Sequence, residues 1–95
     1  MDKMLEPLRH NELGLAIVSI LVKEGEADFV LFREKTGATA GNLSVQLDKL
    51  SEAAYISVHK QFKGKKPHTT CTITRTGVEA FEKYVDNIRD YLNLK

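Results

Sequence analysis

Between two stretches of helical character the chain has only Thr36-Gly37-Ala38. A link that short forces the two helices to cross and pack, which is the helix-turn-helix arrangement. The first helix is predicted over Phe29 to Thr36. Asp28 is placed to cap it, Phe29, Leu31 and Phe32 are its apolar residues, and Gly37 is a natural left-handed terminator. The second follows Thr39 as its cap, and Leu43, Leu47 and Leu50 form an i, i+4, i+7 stripe that continues to Ala54. An earlier helix is predicted from Asn11, a good N-cap, to about Lys23, with Gly25 as its stop. Leu13, Ile17, Ile20 and Leu21 recur along it at helical spacing, and the segment GEAD then breaks the pattern.

After Ala54 the apolar period changes from 3.6 to 2. Ile56 and Val58 alternate with Ser57 and His59, and Cys71 and Ile73 alternate with Thr70, Thr72 and Thr74. FKGKKPHT lies between them, and its Gly64 and Pro67 suit a loop, so a two-stranded hairpin with a long basic tip is predicted. Two strands are marginal alone and must lean on the helices. A last helix is predicted from about Gly77 to Leu94. Along it Val78, Phe81, Val85, Ile88 and Leu92 are spaced 3, 4, 3, 4, with Tyr84 and Tyr91 on one flank.

Ninety-five residues suit one domain, 1–95, mainly α with a small hairpin: helix-turn-helix at about 28–54, hairpin at about 55–75, last helix at about 77–94. No run approaches the ~18 apolar residues of a membrane span. The N-terminus MDKMLEPLRH has no signal-peptide core, so the expected location is cytoplasmic and no membrane partner is expected. A single cysteine excludes a disulfide framework and a cysteine-rich zinc site. The formal charge of +1 hides a division. Tyr55 to Arg75 carries Lys60, Lys63, Lys65, Lys66, Arg75 and no acid, which is +5, and leaves −4 on the rest.

The stretch TGATAGNLSVQLDKLSEAAYISVHKQFKGKKPHTTCTITRTGVEAF resembles winged helix-turn-helix transcriptional regulators of the MarR and ArsR type, in their minimal single-domain branch. Gly37 in the turn, GNLSVQLDKL after it, GKKPHT at the wing tip and ITRTG before the last helix carry the likeness, which spans about Leu13 to Leu92. It implies a winged helix with an extra C-terminal dimerisation helix, acting as a homodimer that binds double-stranded DNA and regulates transcription. The helix after the turn would enter the major groove and the wing would touch the backbone or adjacent minor groove. Ala54 departs from the glycine usual at the end of the recognition helix, and Ala38 from the leucine usual after the turn glycine.

With Leu43, Leu47 and Leu50 inward, the outward arc of the recognition helix carries Gly41, Asn42, Val45, Asp48 and Lys49, with Ser44 and Gln46 at its edges. Asn42 and Gln46 can each pair bidentately with adenine, and Val45 can pack on a thymine methyl. Gly41 lets the backbone approach closely, and Thr39 with the free amides of the helix start suits a phosphate. No arginine is available for guanine, so an A/T-leaning half-site is expected. The wing contributes Lys60, Lys63, Gly64, Lys65, Lys66 and His68 to the expected DNA contacts. A solvated polar face and a solvated basic loop are the plainer readings of the same residues, and an interaction module that does not bind DNA is the rival function.

His68 and Cys71, three apart in a strand, point to opposite faces, so no metal site is expected and Cys71 reads as a buried small hydrophobe. A redox thiol is the alternative there. The chain has no GxxxxGK[ST], GxGxxG or HExxH and no local serine-histidine-acid grouping, so neither an enzyme nor a cofactor is expected. The last helix either covers its own subunit or packs on its twin. The dimer reading takes Leu5, Leu8, Val78, Phe81, Tyr84, Val85, Ile88, Tyr91 and Leu92 as the interface, matched to a pseudo-palindromic site. A small-molecule effector would have to bind at that interface or at the base of the wing.

Overall fold

A computed structural model describes residues 11–92. Its elements in chain order are α1 (Glu12–Glu24), β1 (Glu26–Asp28), α2 (Phe29–Thr36), α3 (Ala40–Glu52), β2 (Ile56–Lys63), β3 (Lys66–Ile73) and α4 (Arg75–Tyr91). The fold is mainly helical with a hairpin wing, as expected. The caps are the predicted ones. Asn11 Oδ1 accepts the Gly14 N–H, Asp28 Oδ1 accepts that of Leu31, and Thr39 Oγ1 accepts that of Asn42. Gly37 ends α2 with φ of +71°, a left-handed conformation open to glycine at little cost.

One core serves the described residues. Ile17, Val18 and Leu21 of α1 meet Phe32 of α2, Leu43, Leu47 and Leu50 of α3, Tyr55 just before β2, and Ile56 and Cys71 of the sheet. The apolar stripe on α3 is therefore buried, and burying a leucine or isoleucine side chain is worth roughly 1.5–3 kcal/mol. From α4 only Gly77 and Ala80 are buried. No helix among the described residues is long and apolar enough to cross a membrane.

Four boundaries differ from expectation. GEAD was expected only to break the helix, but Glu26–Asp28 forms an antiparallel edge strand, with Ala27 opposite Cys71 and the sheet order β1-β3-β2. Three residues are too few to show an alternation, and what recruits them is the open edge of β3. The hairpin tip is short: pairing runs to Lys63 opposite Lys66, leaving Gly64-Lys65 as the turn. Gly64, at the first central position with φ of +64°, meets the requirement of a type II′ turn. Pro67 is tolerated inside β3 because it neighbours the closing hydrogen-bonded pair. Its nitrogen therefore faces away from β2, on the side where β1 has already ended.

The helix α3 stops at Glu52 rather than reaching Ala54. The N–H of Ala54 bonds to Ser51 O and that of Tyr55 to Leu50 O, the two bonds of a Schellman ending, with Ala54 left-handed at φ of +64°. The last helix starts at Arg75 rather than Gly77, because Thr74 caps it by accepting the Gly77 N–H at 2.9 Å.

Candidate nucleic-acid interface

The turn before α3 is held by its own side chains. Thr36 Oγ1 donates to Phe32 O at 2.6 Å and accepts from the Ala38 N–H at 3.2 Å. Arg33 Nε donates to Ala38 O at 3.4 Å, which lays a guanidinium along the turn just ahead of Thr39. Arg33 was not among the expected contacts. Its only sequence signal is its place one helical turn before Gly37.

Thr39, Gly41, Asn42, Ser44, Val45 and Lys49 are all exposed on α3, while the leucines on its other side are buried. Val45 stands half exposed, at 50%, between polar neighbours. Gly41 has nothing within 4 Å of where a Cβ would stand, so its surface is open to an approaching molecule. Gln46 is the exception to the exposed set. It is half-buried, and its Oε1 accepts a hydrogen bond from Asn11 Nδ2. Asn11 therefore links the start of α1 to the middle of α3, a role beyond the capping expected of it.

On the wing, Lys60, Lys63, Gly64, Lys65 and Lys66 are exposed. Lys63 and Lys66 are direct cross-strand partners with Lys65 in the turn between them. The next rung pairs Phe62 with Pro67, and Phe62 is 73% exposed. His68 departs from the lysine group: it is half-buried and lines an open hollow of about 610 Å³ beside the outer half of the wing, with Gln61, Lys63 and Thr70. Glu26, Asp28, Val30 and Glu34 form the opposite side of that hollow.

Cys71 is fully buried against the core, and burial pushes its thiol up from 9.0 to about 11. A thiol held protonated and out of solvent is a packing residue, not a reactive one. Among the described residues no group of three His, Cys, Asp or Glu side chains is placed to hold a metal ion.

Among the described residues the apolar flank of α4 is covered only near its start. Val78, Phe81, Tyr84 and Val85 are half-buried, whereas Ile88, Tyr91 and Leu92 are exposed, Tyr91 at 90%. Leu5 and Leu8 lie outside the described residues.

A family model for the winged helix DNA-binding domain matches residues 13–92. No curated protein matches the chain in sequence. Among solved structures, the chain is similar to a transcriptional regulator homologue from Pyrococcus horikoshii, with a TM-score of 0.80 at 21% identity over 98% of this chain and 96% of that one. It is also similar to the putative transcriptional regulator ytfH from Salmonella typhimurium, with a TM-score of 0.72 at 22% identity over 90% and 74%. A third likeness is to PadR of Bacillus subtilis in complex with operator DNA, with a TM-score of 0.65 at 23% identity over 79% and 47%. At these identities the likeness is one of fold.

Proposed function

The chain belongs to the winged helix DNA-binding domain family, and from that premise we propose that it is a transcriptional regulator that binds a specific double-stranded DNA site as a homodimer. In this reading α3 enters the major groove with its N-terminal half. Thr39 and the helix-start amides take a phosphate, Asn42, Val45 and Gln46 face base edges, and Ser44 and Lys49 flank them. The wing lays Lys60, Lys63, Lys65 and Lys66 against the backbone or the adjacent minor groove.

The observation that carries the reading is the last rung of the wing. Lys63 stands directly opposite Lys66, Lys65 projects from the turn between them, and no acid occurs anywhere from Tyr55 to Arg75. Like charges directly opposite each other destabilise a strand pair. A polyanion laid across the tip removes that repulsion. The fold shared with PadR, a protein solved on operator DNA, supports the same partner.

The stripe on α4, half-buried at Val78, Phe81, Tyr84 and Val85 and exposed at Ile88, Tyr91 and Leu92, supports the dimer as this chain's side of it. A two-fold axis through that interface would set the recognition helices about 34–36 Å apart, matching half-sites one DNA turn apart. Selection of bound sequences from a random duplex pool tests the whole reading. The expected product is a pseudo-palindrome with such half-site spacing. If the chain binds no duplex even at about 50 mM salt, where phosphate contacts are strong, the interaction-module reading replaces this one.

A further inference from the structure

Asn11 and Gln46 form a two-amide relay from the start of α1 to the base-facing helix. Asn11 Oδ1 is committed to the Gly14 N–H at 3.0 Å, because it caps α1. The Asn11 amide therefore turns its NH₂ group toward α3, and only an oxygen of Gln46 can meet it. That is the bond found: Asn11 Nδ2 donates to Gln46 Oε1. The atom of Gln46 that points away from Asn11 is then Nε2, a pure donor. Gln46 shares its side of α3 with Asn42 and Lys49, the exposed residues one turn before and after it.

We propose that Asn11 is a specificity-determining positioning residue: by fixing which end of the Gln46 amide faces outward, it makes Gln46 a donor to DNA. This rests on the DNA-binding reading above and sharpens it. A free glutamine would favour adenine through one donor and one acceptor together. A glutamine presenting only its NH₂ favours the bases with major-groove acceptors and no donor, which are guanine through O6 and N7 and thymine through O4. One position of each half-site is thereby assigned a keto base, which refines the A/T leaning expected from the absence of arginine.

The test inverts the relay without removing the cap. In Asn11→Asp a carboxylate oxygen still accepts the Gly14 N–H, but the other oxygen can only accept from Gln46. The Gln46 amide must turn over, and Oε1 then faces the DNA. Duplex selection is run on the full chain as wild type, Gln46→Ala and Asn11→Asp, with melting curves to show that all are folded. Gln46→Ala identifies the half-site position by flattening it. At that position the wild type is expected to prefer guanine or thymine by about 3- to 10-fold, the worth of one net hydrogen bond. Asn11→Asp is expected to move the preference to adenine or cytosine, whose exocyclic amines are donors.

Asn11→Ser is the second arm, since serine caps the helix but is too short to reach Gln46. It should lose the preference without reversing it. If Asn11→Asp and the wild type select the same base there, or if Gln46→Ala flattens no position, the relay proposal is overturned while the DNA-binding reading stands. If the wild type binds no duplex at all, both are overturned together.

Discussion

The backbone carbonyl oxygen of Tyr55 lies directly over Gly77, so close that a β-carbon on Gly77 would come within 2.1 Å of it. The same carbonyl accepts the Thr74 N–H at 3.0 Å, and the Thr74 hydroxyl donates to the neighbouring Ala54 carbonyl at 2.6 Å while accepting from the Gly77 N–H. The place where α3 passes into the wing and the place where the wing passes into α4 are thus one knot. It fixes the base of the lysine hairpin relative to α3, so that in the proposed reading two surfaces distant in sequence meet one DNA duplex in a set geometry.

Gly77→Ala tests how firmly that knot is tied. The added carbon collides with backbone, which cannot rotate out of the way, so α4 must shift from β2. A loss of about 3 kcal/mol is expected, at the upper end for overpacking by one carbon, and urea unfolding would measure it. A change under about 0.5 kcal/mol, typical of an unconstrained surface site, would show that the contact does not constrain the fold.

Ala54 carries the opposite error. Its φ of +64° places a β-carbon where left-handed backbone disfavours it by roughly 1–2 kcal/mol. Ala54→Gly relieves that strain at the cost of a more flexible unfolded chain. A net gain of about 0.5–1 kcal/mol is expected, seen as a raised Tm with the Schellman bonds kept.

These two residues also show where the sequence was legible and where it was not. The caps at Asn11, Asp28 and Thr39 were readable because capping is chemistry between residues three apart. The α3 face was readable because burial of Leu43, Leu47 and Leu50 decides what is left outside. The strand β1 was not, since its partner is the edge of β3, far along the chain. Gly77 was legible only as the start of the last helix, because its reason is a carbonyl belonging to the other end of the hairpin. The Gln46 side chain was counted as free for DNA because nothing local reveals that Asn11 reaches it.

Cys71 gives the protein an alkaline weakness. Its thiol titrates near 9.0 when exposed on unfolding and near 11 when folded. Below pH 9 both states keep the proton and its contribution to stability is fully present. Between pH 9 and 11 the unfolded state loses its proton while the folded state retains it, so stability falls as pH rises through that window. The loss from this group amounts to roughly 2–3 kcal/mol by pH 11. Unfolding free energy measured against pH should show that decline, and Cys71→Ala should remove this component of it. An unchanged decline in the variant would assign it to other groups.

The wing lysines should act on every DNA sequence alike. Lys65→Ala combined with Lys66→Ala removes two exposed cations, one in the turn and one just after it, without touching the core. Each phosphate contact contributes about 0.9 to the slope of log K against log salt. The double variant should therefore flatten that slope by about 2 per subunit and leave the selected sequence unchanged. Fluorescence anisotropy over a salt series reads both. Binding and slope equal to wild type would remove the wing from the interface.

The dimer stands or falls on the far half of α4. Its apolar stripe continues through Ile88, Tyr91 and Leu92, which are exposed, whereas the chain's own core takes in Ala80 and is packed by Phe81 and Tyr84 nearer the start of the helix. A stripe with this spacing, its far half uncovered among the described residues, fits a second copy of itself about a two-fold axis. Ile88→Asp with Tyr91→Asp places charges at exposed positions, so the fold of the single chain should survive, as circular dichroism would show. Light scattering at micromolar concentration should give a dimer for the wild type and the 10.7 kDa monomer for the variant. Affinity for a palindromic duplex should fall by about 10²–10⁴, the gain expected from joining two reading heads, while contacts to a single half-site persist. A monomer mass for the wild type would leave the stripe on α4 without its twin, and the palindrome would lose its reason.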